Sequence, residues 1–298
     1  MEYILKTEGL TKIYSKVRVV DDVSICIRPG EIYGFVGKNG AGKTTFIRMV
    51  LGLASCSGGV ISCFDGIPLG KARKRIGSLV ESPAFYPNMT ARENIRIFCR
   101  MIGEDPAQAD EILEKVGLAD TGKKKAGNFS LGMKQRLGIG IALAGDPEFL
   151  ILDEPVNGLD PTGIAEIRKL ILELKNEHGK TIFISSHLIS ELEKIATRYG
   201  IIARGRLVEE ISAQELDEKC RNKTSIKTDA PEKSADIIKK LLSTESVEIS
   251  DDGMLLVGEK INNIGEVTNE LFRNGITVNS ISSTASTVEA YFIEKMEG

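Results

Sequence analysis

The chain has 298 residues, 42% hydrophobic and 27% charged, enough for about two domains with cores of their own. Its 39 Lys and Arg against 42 Asp and Glu give a net charge of −3, which argues against a protein held to nucleic acid by phosphate neutralisation. No apolar run approaches the roughly 18–20 residues of a membrane-spanning helix, since those at 49–54 and 149–152 stop after a turn or two.

Residues 1–7 lack the basic-then-apolar order of a signal peptide, which argues against export. Cys26, Cys56, Cys63, Cys99 and Cys220 are odd in number and form no Cys-x-x-Cys pair, so they read as reduced thiols. Trp is absent and few aromatics are available for base stacking.

In chain order, the turns Pro29-Gly30 and Asp65-Gly66 lie among β-branched runs and predict an antiparallel β layer from the first 80 or so residues. Residues 31–36 predict a strand and 44–51 a helix. From 82 to 145 the strand pattern disappears, and helical periods at 91–101, 106–116 and 131–144 predict a helical insert. Strands return at 149–152 and 181–185, so the first two thirds read as an α/β unit on a mostly parallel sheet.

Residues 212–219 read as a short helix with Ser212 as N-cap and Glu215 at capping-box spacing, closing a first domain at 219. Beyond it come strand 225–228, helix 232–242, strands 247–249 and 254–257, helix 262–274 and strand 277–282, then a last helix at 287–296. The order βαββαβ predicts a small ferredoxin-like domain over 220–298, with Asp251-Asp252-Gly253 as its hairpin turn. This segment holds 9 Lys and Arg against 13 Asp and Glu, so the acidity belongs to the end of the chain.

Residues 37–44 read GKNGAGKT, the full G-x-x-x-x-G-K-[ST] pattern between a strand and a helix. A loop that wraps a polyphosphate turns its backbone N–H groups inward, and Gly37, Gly40 and Gly42 remove side chains that would hold the anion away. The helix start adds its positive dipole end. Lys43 reaches the phosphates as a point charge and the Thr44 hydroxyl suits Mg²⁺, while Lys38, Asn39, Ala41 and Thr45 complete the candidate contacts. Farther on, residues 149–155 read FLILDEP. A strand ending in a carboxylate places Asp153 beside the loop as a magnesium ligand. Glu154 either polarises a water for attack on the γ-phosphate or is a solvated acid at a loop or helix start.

GKNGAGKT, FLILDEP followed by VNGLDP, and the histidine of ISSH together resemble the ATP-binding subunit of an ABC transporter, over residues 4 to about 211. The resemblance implies a P-loop cassette with a RecA-like core, an antiparallel β layer and a helical insert, binding ATP and Mg²⁺. The family's signature motif, usually LSGGQ, corresponds to FSLGMKQR at 129–136, which keeps Ser130 and Gly132 but has Leu131 and Met133 at the intervening and following places. In the family this helix start faces the γ-phosphate held by the other subunit, which implies an ATP-dependent homodimer.

The resemblance further assigns Tyr14 to stacking on adenine, with Val19 beside it, and His187 to the γ-phosphate; a surface tyrosine is the lesser alternative for Tyr14. It assigns Gly158 and Asp160 to the loop linking the two sites, although Asp160 also suits the N-cap of a helix beginning at Pro161. His178 reads as structural. Glu81 stands where most members have a glutamine that reaches the magnesium and the attacking water and connects to the membrane partner. That glutamate, the stretch IGSLVESPAFYPNMTARENI and the SLGMKQR signature resemble the bacitracin and lantibiotic resistance branch.

The implied partner is a separate membrane-spanning permease, with this chain peripheral at the cytoplasmic face of the membrane. A soluble ABC-type ATPase of translation or DNA repair and an ATP-switched sensor are the alternatives. The basic runs at 71–75 and 123–125 read as solvated faces before lipid contacts, and Phe85 and Tyr86 suit either a groove for a membrane subunit or a core.

Overall fold

Residues 32–36, IYGFV, are apolar throughout and every one is buried in the computed structural model of this protein, as fits a parallel strand covered on both faces. The structure describes all residues except 221, 222, 243, 245, 251, 252, 258–260, 262, 285, 286 and 298. The chain divides into two units, Met1–Ala213 with Phe292–Gly298, and Gln214–Tyr291. The division thus falls ahead of the expected 219, and the end of the chain returns to the first unit.

In the first unit β1 (Leu5–Tyr14), β2 (Val17–Val23), β3 (Cys26–Ile27) and β5 (Gly58–Cys63) form an antiparallel sheet around β1. The second sheet runs β10-β9-β4-β8-β7-β6, built from β4 (Ile32–Val36), β6 (Ile76–Leu79), β7 (Phe149–Asp153), β8 (Thr181–Ser186), β9 (Arg198–Ala203) and β10 (Arg206–Ser212). Its strands are parallel except β10, an antiparallel edge on β9.

The two sheets share one core, in which Leu5, Leu10, Val20 and Ile27 of the antiparallel layer meet Phe35, Phe46 and Phe183. The ring centroids of Phe35 lie 5.1 Å from Phe46 and 5.4 Å from Phe183, so α1 (Lys43–Val50) is fixed on β4 and β8 by aromatic packing.

The helical segment follows α2 (Leu69–Ala72) and β6. Thr90 and Glu93 close a capping box at the start of α3 (Ala91–Ile102). The expected helix at 106–116 opens as a 3₁₀ turn, Pro106–Gln108, before α4 (Ala109–Lys115), because Asp105 takes the Ala107 N–H and Pro106 supplies none. α5 (Leu131–Ala142) ends two residues before the expected limit of 144. Its last carbonyl passes over β6 so closely that a Cβ on Gly77 would lie 1.9 Å from the Ala142 oxygen, and no larger residue fits there. α6 (Pro161–Asn176), α7 (Ile189–Leu192) and α8 (Ala213–Cys220) complete the helices up to residue 220.

The second unit follows the expected order: β11 (Lys223–Thr228), α9 (Pro231–Leu242), β12 (Val247–Ile249), β13 (Met254–Val257), α10 (Ile264–Arg273) and β14 (Val278–Thr284). Its antiparallel sheet runs β12-β13-β11-β14, over a core of Ile226, Ile238, Leu255, Val267 and Leu271. Asp251 and Asp252 of the expected turn, and Asn262 at the expected helix start, lie outside the described residues. The last helix, α11 (Val288–Glu297), belongs to the first unit from Phe292 onward. Cys26, Cys56, Cys63 and Cys99 are free thiols. Among the described residues no helix is long and apolar enough to cross a membrane.

Candidate nucleotide-binding site

The registers Val36↔Ser186 and Ser185↔Asp153 bring the C-terminal ends of β4, β8 and β7 level with one another. Three segments therefore meet at one sheet edge: the glycine loop after β4, Glu154 after β7 and His187 after β8. In the loop, Gly40 and Gly42 hold left-handed φ of 82° and 108°. A Cβ would come within 2.5 Å of the Ile202 carbonyl at Gly37 and 2.6 Å of the Val19 carbonyl at Gly42. Two of the three glycines are thus required by the backbone packed behind them, as well as by an anion in front. Val19, expected beside the adenine, touches the loop through its carbonyl.

Lys43 is 6% exposed; its Nζ donates to the Gly37 carbonyl at 2.6 Å and lies 3.1 Å from Glu154 Oε1. The N–H groups of Gly40, Gly42, Lys43, Thr44 and Thr45 have no intramolecular acceptor among the described residues, whereas that of Ala41 bonds the Lys38 carbonyl. Orphan donors at a helix start form a cradle for polyphosphate. Lys38 and Asn39 are exposed at its rim and Thr44 and Thr45 half-buried at its base.

Asp153 is 1% exposed and accepts a hydrogen bond from the Ser185 hydroxyl. The next residue leaves the strand with a left-handed φ of 50°, its N–H donating to Ser185 Oγ at 3.0 Å. This turn separates two successive carboxylates. Glu154 is not a solvated acid: its side chain is 16% exposed, and His187 Nδ1 donates to Oε2 at 2.8 Å. Oε1 is buried and faces Lys43 with no donor in hydrogen-bonding alignment. No group of three or more His, Cys, Asp or Glu side chains placed for a metal occurs among the described residues. Thr44, half-buried in the loop, and the buried Asp153 are the hydroxyl and carboxylate that would hold a hard cation here.

Other expected residues gather elsewhere in the chain. Ser130 caps α5, its Oγ accepting from the Met133 N–H at 3.3 Å. A Cβ on Gly158 would lie 3.3 Å from Leu131 and one on Gly132 3.9 Å from Leu159, so the signature helix start and the NGLDP loop pack together. Asp160 caps α6, with Oδ1 accepting from the Gly163 N–H at 3.1 Å. Tyr14, 45% exposed at the end of β1, has Lys12 Nζ 4.7 Å from its ring centroid.

Glu81 is exposed, with a left-handed φ of 60°, and pairs with Arg48 at 2.7 Å. Arg48 follows Thr44 by four residues on α1, so the carboxylate is held on Thr44's face of the helix, one turn along. Sequence reasoning passed over both Arg48 and Ser185. The i,i+4 spacing from Thr44 pointed to the first, and the strand position opposite Asp153 to the second.

A phosphate loop opening a helix, with an acidic strand end and a histidine converging on it, defines a P-loop nucleotide-binding domain. The ABC transporter family model matches residues 20–157. The chain is 44% identical to the bacitracin transport ATP-binding protein of Bacillus licheniformis, over 100% of this chain and 99% of that protein. It is 42% identical to the lantibiotic transport ATP-binding protein of Streptococcus pyogenes, over 69% of this chain and 89% of that one. Among solved structures, cbiO1 of Clostridium perfringens, part of the cbiONQ ABC transporter complex, superimposes with a TM-score of 0.66 at 28% identity, covering 72% of this chain and 91% of that one. The chain belongs to the ABC transporter family, as an ATP-binding subunit.

Proposed function

We propose that this subunit drives a separate membrane-spanning permease that exports or displaces peptide antibiotics of the bacitracin and lantibiotic kind. The observation that carries the reading is the match to the bacitracin subunit, which runs through the C-terminal unit as well as the cassette. ATP lies with its phosphates on the loop from Gly37 to Thr45 and its adenine on Tyr14, next to Val19. Thr44 and Asp153 are the oxygen donors for Mg²⁺, which when bound neutralises phosphate charge. Glu154 takes the proton of the attacking water on Oε1 while His187 and Lys43 hold the carboxylate, and the products are ADP and phosphate. His187 also contacts the γ-phosphate.

Ser130 and Gly132, with Gly158 and Asp160 behind them, close the site of a second copy, so ATP joins two chains. Glu81 reaches the metal-bound nucleotide by leaving Arg48, and passes the site's state to the permease. The cassette spans 1–219, with its insert at about 82–145; a ferredoxin-like accessory domain begins at 220, and the last helix rejoins the cassette from Phe292 onward, with the assembly at the cytoplasmic face of the membrane.

The test is purification of the tagged chain from detergent extract, together with deletion of its gene. A polytopic membrane partner and raised sensitivity to bacitracin-like peptides are expected. Recovery of ribosomes or soluble regulators alone removes the transport reading, and unchanged sensitivity to all such peptides removes the antibiotic one.

A further inference from the structure

The end of the chain folds onto its own phosphate loop. Phe292 on α11 is fully buried, its ring 5.4 Å from Tyr199 in an edge contact at 65°. One turn on, Met296 is 9% exposed and Lys295 Nζ lies 3.3 Å from Glu209, and the next residue, Glu297, places Oε1 2.9 Å from Lys38 Nζ. Met296 and Glu297 line a cleft of about 270 Å³ together with Lys38, Asn39, Ala41 and Arg204.

Lys38 and Glu297 side chains are 58% and 61% exposed, so their pair does little to hold the helix; the burial of Phe292 and Met296 does that. The consequence of the pair is electrostatic. Lys38 directly follows Gly37 in a loop that receives a polyphosphate, and a carboxylate bound to its ammonium opposes its turning toward the anion. We propose that Glu297 competes with the nucleotide phosphates for Lys38, so that the terminal helix sets the affinity of the phosphate loop. This rests on the reading of that loop as the ATP site.

The experiment titrates the full-length chain with N-methylanthraniloyl-ATP and the corresponding ADP at low and high salt. Glu297→Gln is expected to lower Kd by about two- to fivefold, more for the triphosphate than the diphosphate and less at high salt. Glu297→Asp keeps the wild-type value, and the thermal midpoint stays unchanged, since Phe292 still anchors the helix. In a Lys38→Gln background the gain from Glu297→Gln falls to less than half. An unchanged Kd, or a gain undiminished without Lys38, overturns the competition. Failure of the wild-type chain to bind either nucleotide overturns the loop assignment itself, and this proposal with it.

Discussion

Glu154→Gln is expected to slow ATP turnover by about 10²–10⁴-fold while leaving nucleotide binding intact. The amide has the size of the carboxylate, still accepts from His187 and still meets the left-handed turn at φ 50°. What it lacks is basicity at Oε1, the buried oxygen that no aligned donor occupies. Removing the negative charge 3.1 Å from Lys43 also frees that ammonium for phosphate, so binding is expected to hold or tighten. Single-turnover phosphate release reads the chemical step, and size exclusion with ATP reads whether the unhydrolysed nucleotide holds two chains together. Turnover within threefold of wild type would sink the assignment of Glu154 as base.

Lys43→Met is expected to raise the Kd for ATP by about 10–100-fold, the value of a charged hydrogen bond to phosphate. It acts on the fold as well, because Glu154 at 16% exposure is left with His187 alone and the Gly37 carbonyl loses its donor. An unsatisfied buried partner costs about 1–3 kcal/mol, measurable as a lower denaturation midpoint. Lys43→Met with Glu154→Gln should recover most of that stability and none of the affinity. If the double variant is less stable than either single one, the two side chains do not form the coupled pair seen at 3.1 Å.

The parts of this protein legible in sequence are those where local pattern and burial agree. Strand β4 was expected at 31–36 and runs Ile32–Val36; helix α1 was expected at 44–51 and runs Lys43–Val50. An apolar run bounded by glycines leaves few alternatives, and one carboxylate at the end of FLILD falls where sheet topology puts ligands. Arg48 and Ser185 stand at positions that spacing picks out, but the partners that tune the site left no such trace. Arg48 meets Glu81 across 33 residues, Ser185 ties Asp153 across 32, and Glu297 reaches Lys38 across 259. Pairs formed by chain folding at these separations have no period to read. Two units were expected, but the return of the last helix left no trace for the same reason, since α11 follows the second unit in sequence yet buries Phe292 on Tyr199 of the first.

The grouping of Lys43, Glu154 and His187 apart from Ser130, Gly132 and Gly158 has a genetic consequence. If the two groups complete each other only between chains, an allele damaged at Glu154 and one damaged at Ser130 each fail alone, yet they can rescue one another when expressed together. In the mixed pair one site combines both lesions, while the other receives an intact loop from one chain and an intact signature helix from its partner. The same two lesions placed on one allele, beside a wild-type copy, leave every mixed pair without an intact site. Under that pairing, ATP turnover in cells carrying both copies would depend on which copy carries each change, a cis–trans difference set by two helix starts on one chain.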